Sequence, residues 1–164
     1  MKTARNVVGT IFAVALLALA ACASNAQVVD HAFSFDTRYD DQDGEVLDYR
    51  YGDSKLPVRA PEASAAAGKP VYQSNVRGPM RRGEFLYVKW RNKVSGQVYE
   101  DTVDLRQRLP ANMHDYRIHF TVKGPQLSVY LIAPKPRPPD AQSTGPRMYR
   151  DLETTRIYPD AMKQ

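Results

Sequence analysis

The stretch Phe85 to Pro110, FLYVKWRNKVSGQVYEDTVDLRQRLP, decides the fold. Phe85 to Arg91 mixes aromatic, β-branched and cationic residues over the length of a strand. Gln97 to Leu105 does so again after a short link, Asn92 to Gly96, that ends in glycine. This spacing predicts two antiparallel strands, with Leu86, Val88 and Trp90 on one face and Phe85 and Tyr87 on the other. A lone hairpin is marginal in water, so these apolar side chains need further strands to pack on. The expectation is a sandwich or a barrel, with Trp90 and Val103 in its core.

Working outward toward the C-terminus, Leu105 to Pro110 closes on proline and Ala111 to Asp115 reads as a connection or one helical turn. Tyr116, Ile118, Phe120 and Val122 then alternate with Arg117, His119, Thr121 and Lys123, which predicts a strand with one buried face and one wet face. Gly124-Pro125 turns the chain, and Gln126 to Ala133 returns as the second strand of another hairpin. From Pro134 the run APKPRPPD, followed by AQSTGP, is too rich in proline for a central sheet and reads as an extended linker. Met148 to Tyr158 offers a brief helix or strand.

Toward the N-terminus, Val71 to Val76 reads as a strand and Arg77 to Gly83 as a turn leading into the first hairpin. Leu56 to Pro70, with three prolines and the run Ala65-Ala66-Ala67, reads as a long surface loop, and loops of that length often bind. Val46 to Tyr51 is a strand with Val46, Asp48 and Arg50 opposite Leu47, Tyr49 and Tyr51. The acidic group from Asp40 to Glu45 fits a calcium loop poorly: with Gly44 in the sixth place the first and twelfth places fall on Tyr39 and Arg50. A solvated turn is the better expectation. Phe33 to Tyr39 reads as a first short strand.

The beginning of the chain speaks to compartment. Lys2 and Arg5 precede an apolar run from Val7 to Ala21, shorter than the roughly 20 residues a membrane-spanning helix needs, and the whole reads as a secretory signal. Leu19-Ala20-Ala21-Cys22 resembles the lipobox of bacterial lipoproteins, in which the cysteine thiol receives a diacylglycerol before cleavage. Cys22 is therefore the expected lipidation site, and several acyl chains, at about 0.8 kcal/mol per buried methylene, anchor a protein stably. The next residue is Ala23 and not the aspartate that holds such lipoproteins in the inner membrane, so the expected place is the outer membrane, facing the periplasm. Cys22 is the only cysteine, which leaves no disulfide framework and no thiol nucleophile in the exported part.

The resulting division is a signal at 1–21, a lipidated tether at 22–32, a β-sandwich domain at 33–133 and a proline-rich tail at 134–164 with a possible terminal strand or short helix. The signal holds two of the 23 Lys+Arg and none of the 18 Asp+Glu, so the mature chain carries 21 cations against 18 anions. So mild an excess does not point to nucleic acid.

A catalytic role needs a nucleophile with its base, or a metal. The sequence has no Gly-x-Ser-x-Gly, no His-Glu-x-x-His and no phosphate-cradling glycine loop. His114 and His119 would fall on opposite faces of a strand, and His119 reads as a solvent-facing or hydrogen-bonded residue on a polar face. No catalytic residue, metal ligand or cofactor is assigned. For partner binding the candidates are the basic residues Arg81, Arg82, Lys89, Arg91 and Lys93, which fall near one hairpin and the turn before it. Tyr72 and Tyr130 join them, with Tyr39 beside, because a rigid ring with a polar tip suits protein interfaces.

The lipobox, the segment VLDYRYG, the opening hairpin and the later RIHFTVKGPQLSVYLI together resemble small outer-membrane lipoproteins encoded beside type VI secretion phospholipase effectors. The resemblance implies an immunity role: binding a toxic lipase or phospholipase effector in the periplasm and blocking it. The expected fold is mainly β, an antiparallel sandwich of about six to eight strands, and the expected partners are that effector and, through the lipid, the membrane. A structural or assembly lipoprotein of an outer-membrane or secretion complex is the alternative, and a carrier of lipid or small ligand is a third class.

Overall fold

The computed structural model describes residues 28–40 and 43–160. Cys22 and the signal lie outside them. Eight strands form two sheets, in the order β1 (Val28–Asp36), β2 (Gly44–Tyr51), β3 (Gln73–Arg81), β4 (Phe85–Asn92), β5 (Val98–Asp104), β6 (Arg117–Lys123), β7 (Gln126–Pro136) and β8 (Leu152–Tyr158). The larger sheet runs β3-β1-β6-β7-β8 and the smaller runs β2-β4-β5. All pairings are antiparallel except β1 with β6. The protein is a mainly β sandwich.

Both predicted hairpins form, as β4–β5 and β6–β7. Leu86, Val88, Trp90 and Val103 are buried, and they meet Phe33, Phe35, Ile118, Phe120, Val122, Leu127 and Val129 from the larger sheet. Each large apolar side chain contributes about 1.5–3 kcal/mol by leaving water. Aromatic rings form the centre: Phe33 stacks on Tyr51 at 5.3 Å and Phe35 on Phe120 at 4.6 Å, close to the separations at which such pairs add stability beyond their area.

Each end of the sandwich is tied by a polar bond between sheets. At the end where β1 begins, Val28 lies opposite Arg81, and Tyr51 lies opposite Leu86 near the start of β4. There the Tyr51 hydroxyl donates to His31 Nε2 at 3.1 Å and accepts from the Gly83 N–H at 2.9 Å. Burial pushes the Tyr51 phenol up to about 12. At the far end Asp36 meets Gln73 and Gly44 meets Asn92, and the Trp90 indole donates to the Gly124 carbonyl at 2.9 Å, joining the two hairpins.

Several expectations are corrected. β1 begins at Val28, so residues 28–32, expected in the tether, belong to the sheet. Arg77 to Arg81, expected in a turn, continue β3 as far as Arg81. This strand lies at the rim of the larger sheet, where Pro79 needs no ladder hydrogen bond on its outer side. In β2 a bulge between Val46 and Asp48 breaks the simple alternation, so Val46 and Leu47 are both buried beside Tyr49 and Tyr51. The loop from Leu56 contains a short helix, α1 (Glu62–Ala66), and buries Val58 and Ala60.

The tail is also more integrated than expected. β7 runs on to Pro136, and β8 pairs with it to complete the larger sheet. Between them the proline-rich segment folds back over the outer face of that sheet, with a 3-10 turn at Arg147–Tyr149. That face is therefore not wet at its centre. Ala32, Ser34, His119 and Ile132, all on the outward side, are buried.

Candidate partner-binding surface

The register of β4 separates the predicted basic residues. Arg81 and Arg82 lie at the end where β1 begins, and Lys93 lies past the other end of β4, an eight-residue strand that spans about 26 Å. They do not form one patch. Lys89 and Arg91 share the outer face of the smaller sheet, but Lys89 stands between Asp48 and Glu100 across the two ladders. Arg91 is held by Glu45, with both Nε and Nη2 donating to Oε2 at 3.0 and 2.8 Å. Arg82 donates to the carbonyls of Leu109 and Pro110 at 3.4 and 3.3 Å. Arg81 is exposed. Tyr130, half-buried on β7 between His119 and Arg156, is apart from all of them.

Tyr72 and Lys93 do come together. They line one groove of about 450 Å³ with Thr37 and Arg38 at the far end. Backbone bonds hold its walls: the Thr37 N–H and hydroxyl both donate to the Tyr72 carbonyl, and the Lys93 N–H donates to the Asp43 carbonyl. The Asn92 carboxamide oxygen accepts from the N–H groups of Val94 and Ser95, which shapes the hairpin tip. As a result Val94 projects into solvent with 82% of its surface exposed, next to Lys93. Tyr39, Tyr72 and Val98 are also exposed at this end. Val94 was missed from sequence; its signal was an aliphatic residue in a link otherwise made of turn formers.

A second constellation was missed altogether. On the outer face of the larger sheet, Ser34, Asp40, His119 and Tyr149 form one buried chain of hydrogen bonds. The Asp40 carboxylate can only accept, so His119 donates through Nε2 to Asp40 Oδ2 at 3.0 Å. Nδ1 then accepts from the Ser34 hydroxyl at 2.9 Å, and Ser34 Oγ accepts from the Tyr149 hydroxyl at 3.1 Å. The Arg147 N–H donates to Asp40 Oδ1 at 2.7 Å. Asp40, expected in a solvated turn, has a side chain only 4% exposed. Burial lowers the His119 pKa against the pull of Asp40.

Serine, histidine and aspartate in contact invite comparison with a nucleophile and its base. Here Tyr149 already occupies the serine hydroxyl, and Ser34 and His119 are both buried. A substrate would have to displace the tail to reach them. What the arrangement does is fasten three separate segments, the turn after β1, strand β6 and the tail, to one another. Positions 34, 40, 119 and 149 share no spacing that a sequence pattern would reveal. The same holds for His31, whose Nδ1–H donates to the Val29 carbonyl at 3.0 Å while Nε2 accepts from Tyr51.

The chain matches no protein-family model, no curated protein and no solved structure.

Proposed function

We propose that the protein is a lipid-anchored periplasmic immunity protein that binds and neutralises a type VI secretion lipase or phospholipase effector. The supporting observation is the placement of two features at opposite ends of the sandwich. Val28, six residues after the lipobox cysteine, begins β1 at one end, and the groove of Tyr72 and Lys93 with the exposed Tyr39 and Val94 lies at the other. A domain held at the bilayer by its first strand presents such a tip outward, on a rigid scaffold.

The tip offers Tyr39, Tyr72 and Arg38, residue types enriched at protein interfaces, with Val94 exposed beside Lys93. Closing over a lipase cleft, or over the surface by which the lipase reaches lipid, would stop hydrolysis without any chemistry by this chain. The anchor helps because it concentrates the inhibitor at the membrane that the lipase attacks.

The test is co-production. Each type VI lipase and phospholipase effector of the same genome is exported in turn to the periplasm of a host, with and without the full-length chain, and phospholipid hydrolysis is followed. Suppressed hydrolysis and restored growth support the proposal. Undiminished hydrolysis with both proteins present contradicts it.

A further inference from the structure

We propose that the end of the sandwich where β1 begins is itself a binding surface, and that its ligand is the anionic phospholipid headgroup layer of the membrane carrying the anchor. This inference rests on the lipoprotein reading. Val28 is six positions after Cys22, with five residues between them, and an extended chain spans at most about 3.6 Å per residue, so a lipidated Cys22 keeps that end within about 22 Å of the bilayer surface. The side chains there meet headgroups more often than any others on the molecule.

Those side chains are cationic in excess. Arg81 lies directly opposite Val28, and Arg82 follows it. Lys55 and Arg59 come from the loop after β2, which reaches the same end: the Leu56 side chain lies beside Gly78 of β3. Lys55, Arg59 and Arg81 are exposed and pair with no carboxylate among the described residues.

Two other cations at this end are already neutralised, Arg50 by Asp53 and Arg77 by Asp115. Arg59 is notable because its backbone bridges that of Arg50, which sets two like charges opposite each other, a pairing that costs stability unless something offsets it. Arg50 has Asp53 and the face of Phe85 at 5.6 Å; Arg59 has no such partner. Exposed Asp30, Glu84 and Glu62, the last lining one groove with Lys55 and Arg59, are the opposing carboxylates, and against Lys55, Arg59, Arg81 and Arg82 they leave the cations ahead by one.

Each Lys or Arg near an anionic surface strengthens attachment severalfold, and the effect fades with salt. Here the anchor supplies affinity and the cations supply orientation. The domain stands with its first strand down and with Tyr72 and Lys93 away from the bilayer.

Because Cys22 is the only cysteine and the lipid consumes its thiol, one introduced cysteine can be labelled alone. The lipidated full-length protein is placed in vesicles of phosphatidylethanolamine with phosphatidylglycerol, carrying a fluorophore at Pro57→Cys, an exposed uncharged position beside Lys55 and Arg59, or at Val94→Cys, with a quencher on the headgroups. The expected result is at least fivefold stronger quenching at position 57 than at 94. That contrast should shrink in phosphatidylcholine vesicles, in 0.5 M salt, and in the Arg59→Glu/Arg81→Glu variant. Equal quenching at both positions overturns the inference while lipidation stands. A contrast indifferent to lipid charge, salt and the double reversal overturns headgroup recognition and leaves only the tether. The intact mass of the protein separates these cases from failure of the lipoprotein reading: no lipid on Cys22 removes that reading and this inference together.

Discussion

His119 donates its Nε2 proton to the buried Asp40 carboxylate at 3.0 Å, across 79 residues of sequence. This bond joins the turn after β1 to strand β6, and through Tyr149 it brings the proline-rich tail down onto the sheet. Removing one partner of such a chain strands the others in a dry site. Asp40→Ala leaves both the His119 and Arg147 N–H groups without an acceptor and should cost about 2–4 kcal/mol, whereas Tyr149→Phe deletes one hydroxyl and should cost about 1 kcal/mol. Urea midpoints at neutral pH check both. Equal, negligible losses would mean the tail is not fastened in this way.

The two buried histidines make a pH prediction whose sign follows from their surroundings. Burial lowers both pKa values below the ordinary 6.5, so each ring is neutral in the fold and charges more readily once unfolded. Unfolding then takes up protons below about pH 6.5, and stability falls as pH drops from there toward the lowered values. Above pH 7 neither group contributes a slope. Each histidine adds at most about 1.4 kcal/mol per pH unit. Urea unfolding at pH 7.5 and pH 5 should show the fall, and His119→Gln should reduce its steepness. A midpoint that holds steady to pH 5 in the unaltered chain contradicts this account of the histidines.

Gly83 sits against the ring of Tyr51 so closely that an added Cβ would stand 2.3 Å from Cε2. Tyr51 is buried and stacked on Phe33, and it cannot move aside without giving up its bonds to His31 and Gly83. Gly83→Ala should therefore destabilise by about 2 kcal/mol or more. Tyr51→Phe keeps the stacking but leaves the Gly83 N–H unpaired, at about 1–3 kcal/mol. Thermal melts of the two variants separate crowding from lost hydrogen bonds.

At the far end the expected behaviour is the reverse. Lys93→Glu and Val94→Asp change exposed side chains and should shift stability by no more than about 0.5 kcal/mol. On the proposed function they should nevertheless weaken effector binding at least tenfold, measured against Lys89→Ala, whose residue lies amid carboxylates on the smaller sheet. Unchanged affinity in both tip variants would move the contact surface elsewhere.

The legible part of this fold is the part with strict alternation. β4, β6 and β7 carry bulky residues at every second position, and pairing follows from a glycine-containing turn. β3 was half legible, because Arg77-Gly78-Pro79 has the composition of a turn and only its place at the rim of a sheet lets it stay extended. The β2 bulge inverts a face that simple alternation assigns. Of the candidate contact residues, Tyr72 and Lys93 converge; Arg81 and Arg82 fall at the other end, and Lys89 and Arg91 are matched by carboxylates across the strands. The buried chain from Tyr149 to Asp40 was illegible because a polar outward face looks wet until a distant segment covers it. Long-range contacts of that kind leave no local pattern.

The most direct test of the central claim is a competition between kin. A strain deleted for this gene, and the same strain carrying the full-length gene again, are each grown in contact with a parent that fires the effector. The account predicts that the deletion strain is killed and that the restored gene returns survival to the parental level. Survival of the deletion strain equal to its parent would contradict the immunity function.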